Sequence, residues 1–452
     1  MKIIIVGCGK IGVAAIESLV SEGHDVVAID NRLETVEEIR DVYDIMCICS
    51  NGADYNTLNE AGISNTDMFI AVTGSDELNM LSCIIAKKMG AKHTVARVRN
   101  PEYNDKSIGY IKQQIELSLI LNPEYLVAKE ILNILKFPAA INVETFSRGN
   151  FEMVELLLRD NSPIIDTSLI DLRKKFQANY LICVVQRGED VFIPDGNFVL
   201  KSGDRIGITA DSAEIQKLLK MLGILQKSAR DVMILGGGRI AYYLSKMLIS
   251  SGNSVKIIDK DRVRCELLSD ILPKANIING DGTDQDLLIE EGLLSSDSFV
   301  ALTGMDEENI LVSIFAAAKS VKKVIAKVNG SALSDMAEKL GLDCIVTPKQ
   351  TVSGVISRYA RALANSAGSN VETLYKLMDG KVEAVEFNVN SDFKYQETPL
   401  KELKLKSNIL IAGIIRKRKA IIPSGDDVIC AGDKVIVIAA KTVLNNLSDI
   451  MR

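Results

Sequence analysis

Residues 7–12 read Gly-Cys-Gly-Lys-Ile-Gly, a spacing of small residues that can hold a phosphate. Gly7 permits a tight turn, Gly9 lets the backbone approach a pyrophosphate, and Gly12 lets a following helix pack closely on the strand before it. The unpaired amides of the helix start and the helix dipole both favour a negative ligand. Asp30 stands 18 residues beyond Gly12 (30 − 12) at the end of an apolar run, where a carboxylate bonds a ribose diol. That carboxylate would repel a 2′-phosphate. The residues therefore favour NAD(H) over NADP(H), with Arg32 nearby as a counterweight.

Such chemistry needs a strand, a glycine turn and a helix in succession. Residues 2–6, Lys-Ile-Ile-Ile-Val, form a short apolar run of the kind that makes a buried parallel strand, and residues 13–20 repeat apolar residues at helical spacing. The alternative use of the same glycines is packing alone, in a Rossmann-type core that binds no nucleotide.

The pattern occurs twice. Residues 232–235 lead into Gly236, Gly237, Gly238, Arg239, Ile240 and Ala241, and a later apolar run ends in Asp259. The offsets 236 − 7 and 259 − 30 both give 229. Ala241 replaces the third glycine, a position that only needs to be small.

A chain of 452 residues has room for three or four domains at roughly 150 residues or fewer each. With 47% apolar and 25% charged residues and a net charge of −6, the composition is that of a mildly acidic globular protein and argues against a nucleic-acid partner. No apolar run approaches the ~18 residues of a spanning helix, and the chain enters its first strand without a leader, so a cytoplasmic location is expected. The eight cysteines include no C-x-x-C pair. Cys83, Cys183, Cys344 and Cys430 fall in apolar stretches as reduced core thiols do, and Cys47 and Cys49 share one face of a strand where core packing is expected over a redox role.

Further landmarks support the duplication. The loop at 50–54 (Ser-Asn-Gly-Ala-Asp) has its counterpart at 280–284 (Gly-Asp-Gly-Thr-Asp). The stretch Thr73, Gly74, Ser75, Asp76, Glu77, which reads as a helix start capped by Ser75 or Asp76, has its counterpart at Thr303, Gly304, Met305, Asp306, Glu307. Both follow apolar strands, and in open parallel sheets ligands bind at that carboxyl edge. Arg97 near the end of a fifth strand, with Lys327 in the second copy, either reaches a phosphate or is a surface cation. A helix over 123–136 is apolar on more than one face, which suggests a partner subunit. Between about 142 and 223 short strands and turns form a small α+β module. Its Ile193-Pro194-Asp195-Gly196 and Gly203-Asp204 recur as Ile422-Pro423-Ser424-Gly425 and Gly432-Asp433. The fold class is therefore α/β: two Rossmann-like parallel-sheet domains, each followed by a small α+β module in tandem duplication. The expected boundaries are 1–137, 138–225, 230–364 and 365–452, with linkers near 226–230 and 365–370.

The glycine turn, the Thr-Gly-Ser-Asp-Glu-x-Asn loop at 73–79, Ala-Arg-Val-Arg-Asn-Pro-Glu-Tyr at 96–103, and the Ile-Pro-x-Gly and Gly-Asp pairs resemble the TrkA family of Trk-type potassium uptake regulators, built from two pairs of RCK-N and RCK-C lobes (regulators of potassium conductance). The resemblance covers essentially the whole chain. It implies a peripheral cytoplasmic subunit that binds NAD(H), or alternatively ATP or ADP, and gates a membrane potassium-translocating Trk-type subunit, with homo-oligomers as dimer or tetramer. By motif it places a first site at Gly7, Cys8, Gly9, Lys10, Ile11, Asp30, Thr73, Gly74 and Arg97. A second site comprises Gly236, Gly237, Gly238, Arg239, Ile240, Asp259, Thr303 and Gly304, with Lys327 less secure. Asn51 against Asp281, and Arg97 against Lys327, leave room for different ligands at the two sites.

The rival reading is an NAD-dependent oxidoreductase, since Rossmann units most often serve hydride transfer. The chain has only His24, in an expected surface turn, and His93, at a strand start, and neither has an acid or base partner nearby in sequence, so both are expected simply to face solvent. No catalytic residue and no metal cluster is therefore expected; Asp281, Asp284 and Asp286 lack the spacing of a calcium loop. The run 416–419 (Arg-Lys-Arg-Lys) is expected at a solvent-exposed hairpin tip, leaving membrane attachment to a protein partner.

Overall fold

The computed structural model describes residues 1–103, 109–110, 113–146, 151–176, 178–224, 229–365, 371–378, 380–417, 419–440, 442, 444 and 446–452. Of the expected linkers at 226–230 and 365–370, residues 226–228 and 366–370 lie outside the described residues.

The first sheet is built from β1 (Lys2–Val6), β2 (Asp25–Asp30), β3 (Met46–Cys49), β4 (Met68–Ala71), β5 (His93–Arg97) and β6 (Leu119–Leu121), all parallel, in the order β3-β2-β1-β4-β5-β6. Ile3, Ile4 and Ile5 are fully buried because helices cover both faces, which is why β1 reads as an unbroken apolar run. Val6 lies opposite Ile29 on one side and Ala71 on the other. The strand order reverses between β1 and β4, so the loops leaving these two strands flank the switch point where such sheets bind ligands.

The helix Lys10–Ser21 buries Gly12, Ala15, Ile16 and Leu19 at the spacing of one helical face. It stops at Gly23, whose φ of +76° lets its amide and that of His24 return to Val20 and Leu19. The helix Asp76–Lys88 is capped by Ser75, whose Oγ accepts the Leu78 amide at 3.1 Å. Asp76 and Glu77 occupy its first turn and Lys87 and Lys88 its last, in accord with the helix dipole.

The second half repeats this plan with β12 (Asp231–Leu235), β13 (Ser254–Asp259), β14 (Asn276–Asn279), β15 (Ser298–Ala301), β16 (Lys323–Lys327) and β17 (Ile345–Val346) in the order β14-β13-β12-β15-β16-β17. Each half adds an antiparallel sheet. The first has β7 (Asn142–Phe146), β8 (Phe151–Leu157), β9 (Leu181–Arg187), β10 (Asp190–Phe192) and β11 (Arg205–Ala210) in the order β10-β9-β11-β8-β7. The second has β18 (Val371–Leu377), β19 (Val382–Asn388), β20 (Ile409–Arg416), β21 (Lys419–Ile421) and β22 (Lys434–Ala440) in the order β18-β19-β22-β20-β21, the same topology read from the other edge. The first module adds helices Leu169–Lys175 and Ser212–Met221; the second has 3₁₀ turns at Leu400–Glu402 and Leu447–Ile450.

The Gly-Asp pairs have a structural role. Asp204 is fully buried and takes Arg187 in a two-pronged ion pair, both contacts at 2.7 Å, and Asp433 takes Arg416 at 2.9 and 2.7 Å. The 416–419 run does form the tip of the β20–β21 hairpin, with Arg416 opposite Lys419, Lys417 making the turn at φ +49° and both lysines exposed; only the Arg416 guanidinium departs from the expectation, being anchored on Asp433 rather than free in solvent, and Arg418 lies outside the described residues.

By mutual packing the chain divides into two compact units: residues 1–129 with 327–331 and 346–360, and residues 130–326 with 332–345 and 361–452. Within the first unit, the early part of the helix Pro348–Asn365 packs on the first Rossmann sheet's helices. Ser357 Oγ lies 2.7 Å from Ser18 Oγ, and Tyr359 meets His93 edge to face. Within the second unit the two antiparallel sheets share one core. It joins Phe146, Phe151 and Met153 to Ala384, Ala412 and Ile438, with Thr209 Oγ1 donating to the Ala412 carbonyl at 3.2 Å.

Four further expectations are corrected. The helix Pro123–Lys136 buries Val127, Ala128, Ile131, Ile134 and Leu135 within the single chain, so these need no partner subunit to cover them. His24 is largely shielded, 3.9 Å from Glu22, because the turn folds back on the helix end, and His93 is held against Tyr359; neither simply faces solvent. Cys49 is exposed and Cys47 half-buried, since β3 is the edge strand of its sheet and lacks a neighbour on one side. Cys430 is half-buried, unlike the fully buried Cys83, Cys183 and Cys344.

Candidate functional site

The first glycine turn joins β1 to the helix Lys10–Ser21. Gly7 sits at φ +93°, and a Cβ there would lie 2.7 Å from the Thr73 amide nitrogen. This close approach places the Thr73 loop directly against the turn. A Cβ at Gly12 would fall 2.0 Å from the Gly7 carbonyl oxygen, so the third glycine is required by packing. Gly9 has no atom within 4 Å of where a Cβ would stand, and no side chain caps the helix it begins. Open space in front of an uncapped helix start is the environment a phosphate requires.

Asp30 closes the other side. Its Oδ2 accepts the Cys8 amide at 2.7 Å and its Oδ1 the Arg32 amide at 3.0 Å, each leaving a lone pair for a further donor. Arg32 Nε stands 3.6 Å from Oδ1. The Thr73 loop is held by Asn79, fully buried, whose Oδ1 accepts both the Thr73 amide and its hydroxyl at 2.8 Å, and whose Nδ2 donates to the Arg97 carbonyl at 3.0 Å. Arg97 turns its guanidinium to the Thr73 carbonyl.

These elements enclose a cleft of about 390 Å³ at the switch point. Of the residues singled out from sequence, Gly7, Gly9, Asp30, Thr73, Gly74 and Arg97 line it. Cys8, Lys10 and Ile11 do not. The Cys8 side chain is buried beneath the turn with its thiol on the Ile29 carbonyl, and burial with the Asp30 charge pushes that thiol up to about 12. Sequence reasoning contrasted Asn51 with Asp281 across the repeated loop but did not assign Ser50, Asn51 and Gly52 to the site, of which they form a wall. It also passed over Asn79 as an organising residue. His24 and His93 do not line the cleft.

The second turn repeats the geometry. Gly236 lies at φ +94° with a would-be Cβ 3.0 Å from the Thr303 nitrogen, and Gly238 again faces open space before the helix Arg239–Ser250, which starts with Arg239 and Ile240. Asp259 accepts the Gly237 amide at 2.6 Å, and Asn309 holds Thr303, ahead of Gly304, by the same two bonds of 2.8 Å. One difference is electrostatic. Arg264 stands 3.2 Å from Asp259 and 3.4 Å from Asp261, and the matching first-half position (264 − 229) is Thr35. Among the described residues no cluster of ligating side chains could hold a metal ion, and no helix is long and apolar enough to cross a membrane.

Comparison with known proteins agrees with this architecture. The TrkA-N domain model matches residues 3–112 and 232–348, and the TrkA-C domain model matches 153–223 and 384–452. A Trk system potassium uptake protein TrkA homolog of Archaeoglobus fulgidus is 33% identical over all of both chains. The Trk system potassium uptake protein TrkA of Vibrio alginolyticus is 30% identical over 97% of this chain and 93% of its own. The crystal structure of the GsuK RCK domain superposes with a TM-score of 0.63 at 16% identity, covering 97% of this chain and 92% of that one. The GsuK channel bound to NAD gives the same score and identity over 97% and 77%. With two copies of each domain, and a relative 33% identical along its whole length, the chain belongs to the TrkA family of Trk system potassium uptake proteins.

Proposed function

We propose that this chain is a nucleotide-responsive regulatory subunit of a Trk-type potassium uptake system, acting from the cytoplasmic face through a membrane-embedded protein partner. The observation that carries the reading is the convergence of three elements on one cleft: the uncapped helix start behind Gly9, the Asp30 carboxylate, and the Thr73 loop with Arg97. Adenosine ribose would bond Asp30, and the phosphates would lie over Gly7 to Ile11, with Arg97 supplying positive charge. NAD(H) fits the ribose carboxylate, and a neighbour of the same fold is a channel with NAD bound; ATP or ADP, sharing the adenosine and phosphates, is the alternative.

The four lobes, residues 1–137, 138–225, 230–364 and 365–452, would act as two nucleotide-binding units with attached small modules. A ligand that bridges the glycine turn and the Thr73 loop moves the gate only as far as its affinities for the two arrangements differ. The role is regulatory rather than catalytic: neither histidine reaches the cleft, and the residues around it provide binding and positioning groups. Two such units per chain would let a ring of lobes beneath a channel be completed with half as many chains as single-repeat relatives would need, as a dimer or tetramer. Calorimetric titration of the purified protein with NADH, ATP and ADP tests the ligand assignment. Saturable binding with loss on Asp30→Ala is expected, and absence of binding by all three would overturn it.

A further inference from the structure

The second unit holds a lysine and a cysteine in direct contact. Lys323, at the start of β16 and 5% exposed, places Nζ 2.7 Å from the Sγ of Cys344, which precedes β17 and is 3% exposed. The other described contact of Nζ is the Ala140 carbonyl, just before β7, and Sγ lies 3.6 Å from the carbonyls of Ala140 and Ile141. Among the described residues no carboxylate pairs with Lys323, whereas buried charges ordinarily find one. The separation is shorter than an ordinary N–H···S contact, and it is one that a single oxygen atom can span.

The pair breaks the tandem symmetry. The first-half counterpart of Lys323 is His93 (323 − 93 = 230, as for 303 − 73). Val98 bonds Leu121 as Val328 bonds Val346, which places Leu119 where the second half has Cys344. The core packing that both halves need is met in the first half without an amine or a thiol. The two groups in the second half are therefore not demanded by the shared fold.

We propose that Lys323 and Cys344 form an oxidisable pair that closes into a covalent N–O–S bridge. The amine and the thiol react with dioxygen: Nζ–H and Sγ–H bonds break, N–O and O–S bonds form, and one hydrogen stays on nitrogen. One oxygen atom enters the bridge. The other leaves as water with the two displaced hydrogens. Nitrogen and sulfur each give up two electrons, and the four together reduce dioxygen. A thiol reductant opens the bridge by attack at sulfur: the S–O bond breaks, a mixed disulfide forms and is resolved by a second thiol to free Cys344, and the oxygen stays on Nζ as a hydroxylamine. Burial makes both directions slow, dependent on small oxidants and reductants reaching the site through local opening. Because Lys323 also holds the Ala140 carbonyl, the bridge would fix the start of the first small module to the second Rossmann sheet within the second unit.

The test uses the full-length protein, exposed to air or hydrogen peroxide and digested without reductant. The expected product is a cross-linked pair of peptides carrying Lys323 and Cys344. Its mass exceeds the sum of the two by one oxygen less two hydrogens, and dithiothreitol dissolves it. It is absent from Cys344→Ser and Lys323→Met, while the wild-type measurement stands whether or not those variants fold. Oxidation of Cys344 to sulfinic or sulfonic acid with the Lys323 peptide unmodified would overturn the proposal, as would an unmodified pair after the exposed Cys49 and the half-buried Cys47 and Cys430 have reacted.

Discussion

The Cys8 amide donates to Asp30 Oδ2 at 2.7 Å, tying the first glycine turn to the end of the second strand. The carboxylate that would bond a ribose is therefore also the acceptor that fixes the turn. Asp30→Ala removes both roles and should weaken nucleotide binding by roughly 1.5–3 kcal/mol, the size of a charge-assisted hydrogen bond. Asp30→Asn keeps one acceptor oxygen, for the Cys8 amide, and loses the charge and the oxygen that accepts the Arg32 amide, so its calorimetric loss should be smaller than that of Asp30→Ala. Equal affinity of wild type and Asp30→Ala for NADH would remove Asp30 from the site.

Arg97 faces the same cleft from β5 with its guanidinium on the Thr73 carbonyl. Arg97→Met should reduce affinity for NADH or ATP by about 1.5–3 kcal/mol, with a weaker salt dependence of what remains. Calorimetry at two ionic strengths checks this. An unchanged affinity would assign Arg97 to holding the loop alone.

Gly12→Ala places a Cβ 2.0 Å from the Gly7 carbonyl, a backbone atom that can yield only by opening the turn. A loss of at least about 1–3 kcal/mol is expected, read as a lowered thermal transition together with weaker nucleotide binding. The second copy already carries Ala241, fully buried, at this position. Ala241→Gly should therefore leave its turn intact and lower stability only by about 0.5–1 kcal/mol, the helix cost of glycine.

Burial pushes the thiols of Cys8 and Cys183 from the ordinary 9.0 to about 12. The folded chain thus keeps protons that the unfolded chain releases. The sign follows: stability is unaffected by these groups below about pH 9 and falls progressively as pH rises towards 12. Thermal midpoints followed from neutral to alkaline pH should show that decline, and alkylation of both thiols at neutral pH should require unfolding. Rapid alkylation of Cys8 itself in the native protein, with the exposed Cys49 as the internal reference, would contradict its buried placement.

Most of the sheet plan was legible because buried parallel strands leave unbroken apolar runs and because the duplication supplied every landmark twice. Gly7, Asp30 and Thr73 could be placed beside one cleft since each ends a strand of one open sheet. Lys10 and Ile11 share the motif but do not line the cleft, for a motif fixes backbone and not side-chain direction. Asn79 closed the Thr-Gly-Ser-Asp-Glu-x-Asn stretch, but nothing local showed its role, which rests on four side-chain hydrogen bonds to Thr73 and the Arg97 carbonyl. The seat of Ser357 and Tyr359 in the first unit depends on packing between segments more than 250 residues apart, as 357 − 18 and 359 − 93 show, which no local pattern encodes.

The central claim is that nucleotide in the glycine-turn clefts controls potassium movement through a membrane partner. It is tested most directly by reconstituting this chain with its Trk-type membrane subunit in vesicles and measuring potassium flux with and without NADH and ATP. The account predicts a flux that changes with at least one nucleotide and loses that response with Asp30→Ala. Flux indifferent to both nucleotides, and to removal of this chain, would contradict it.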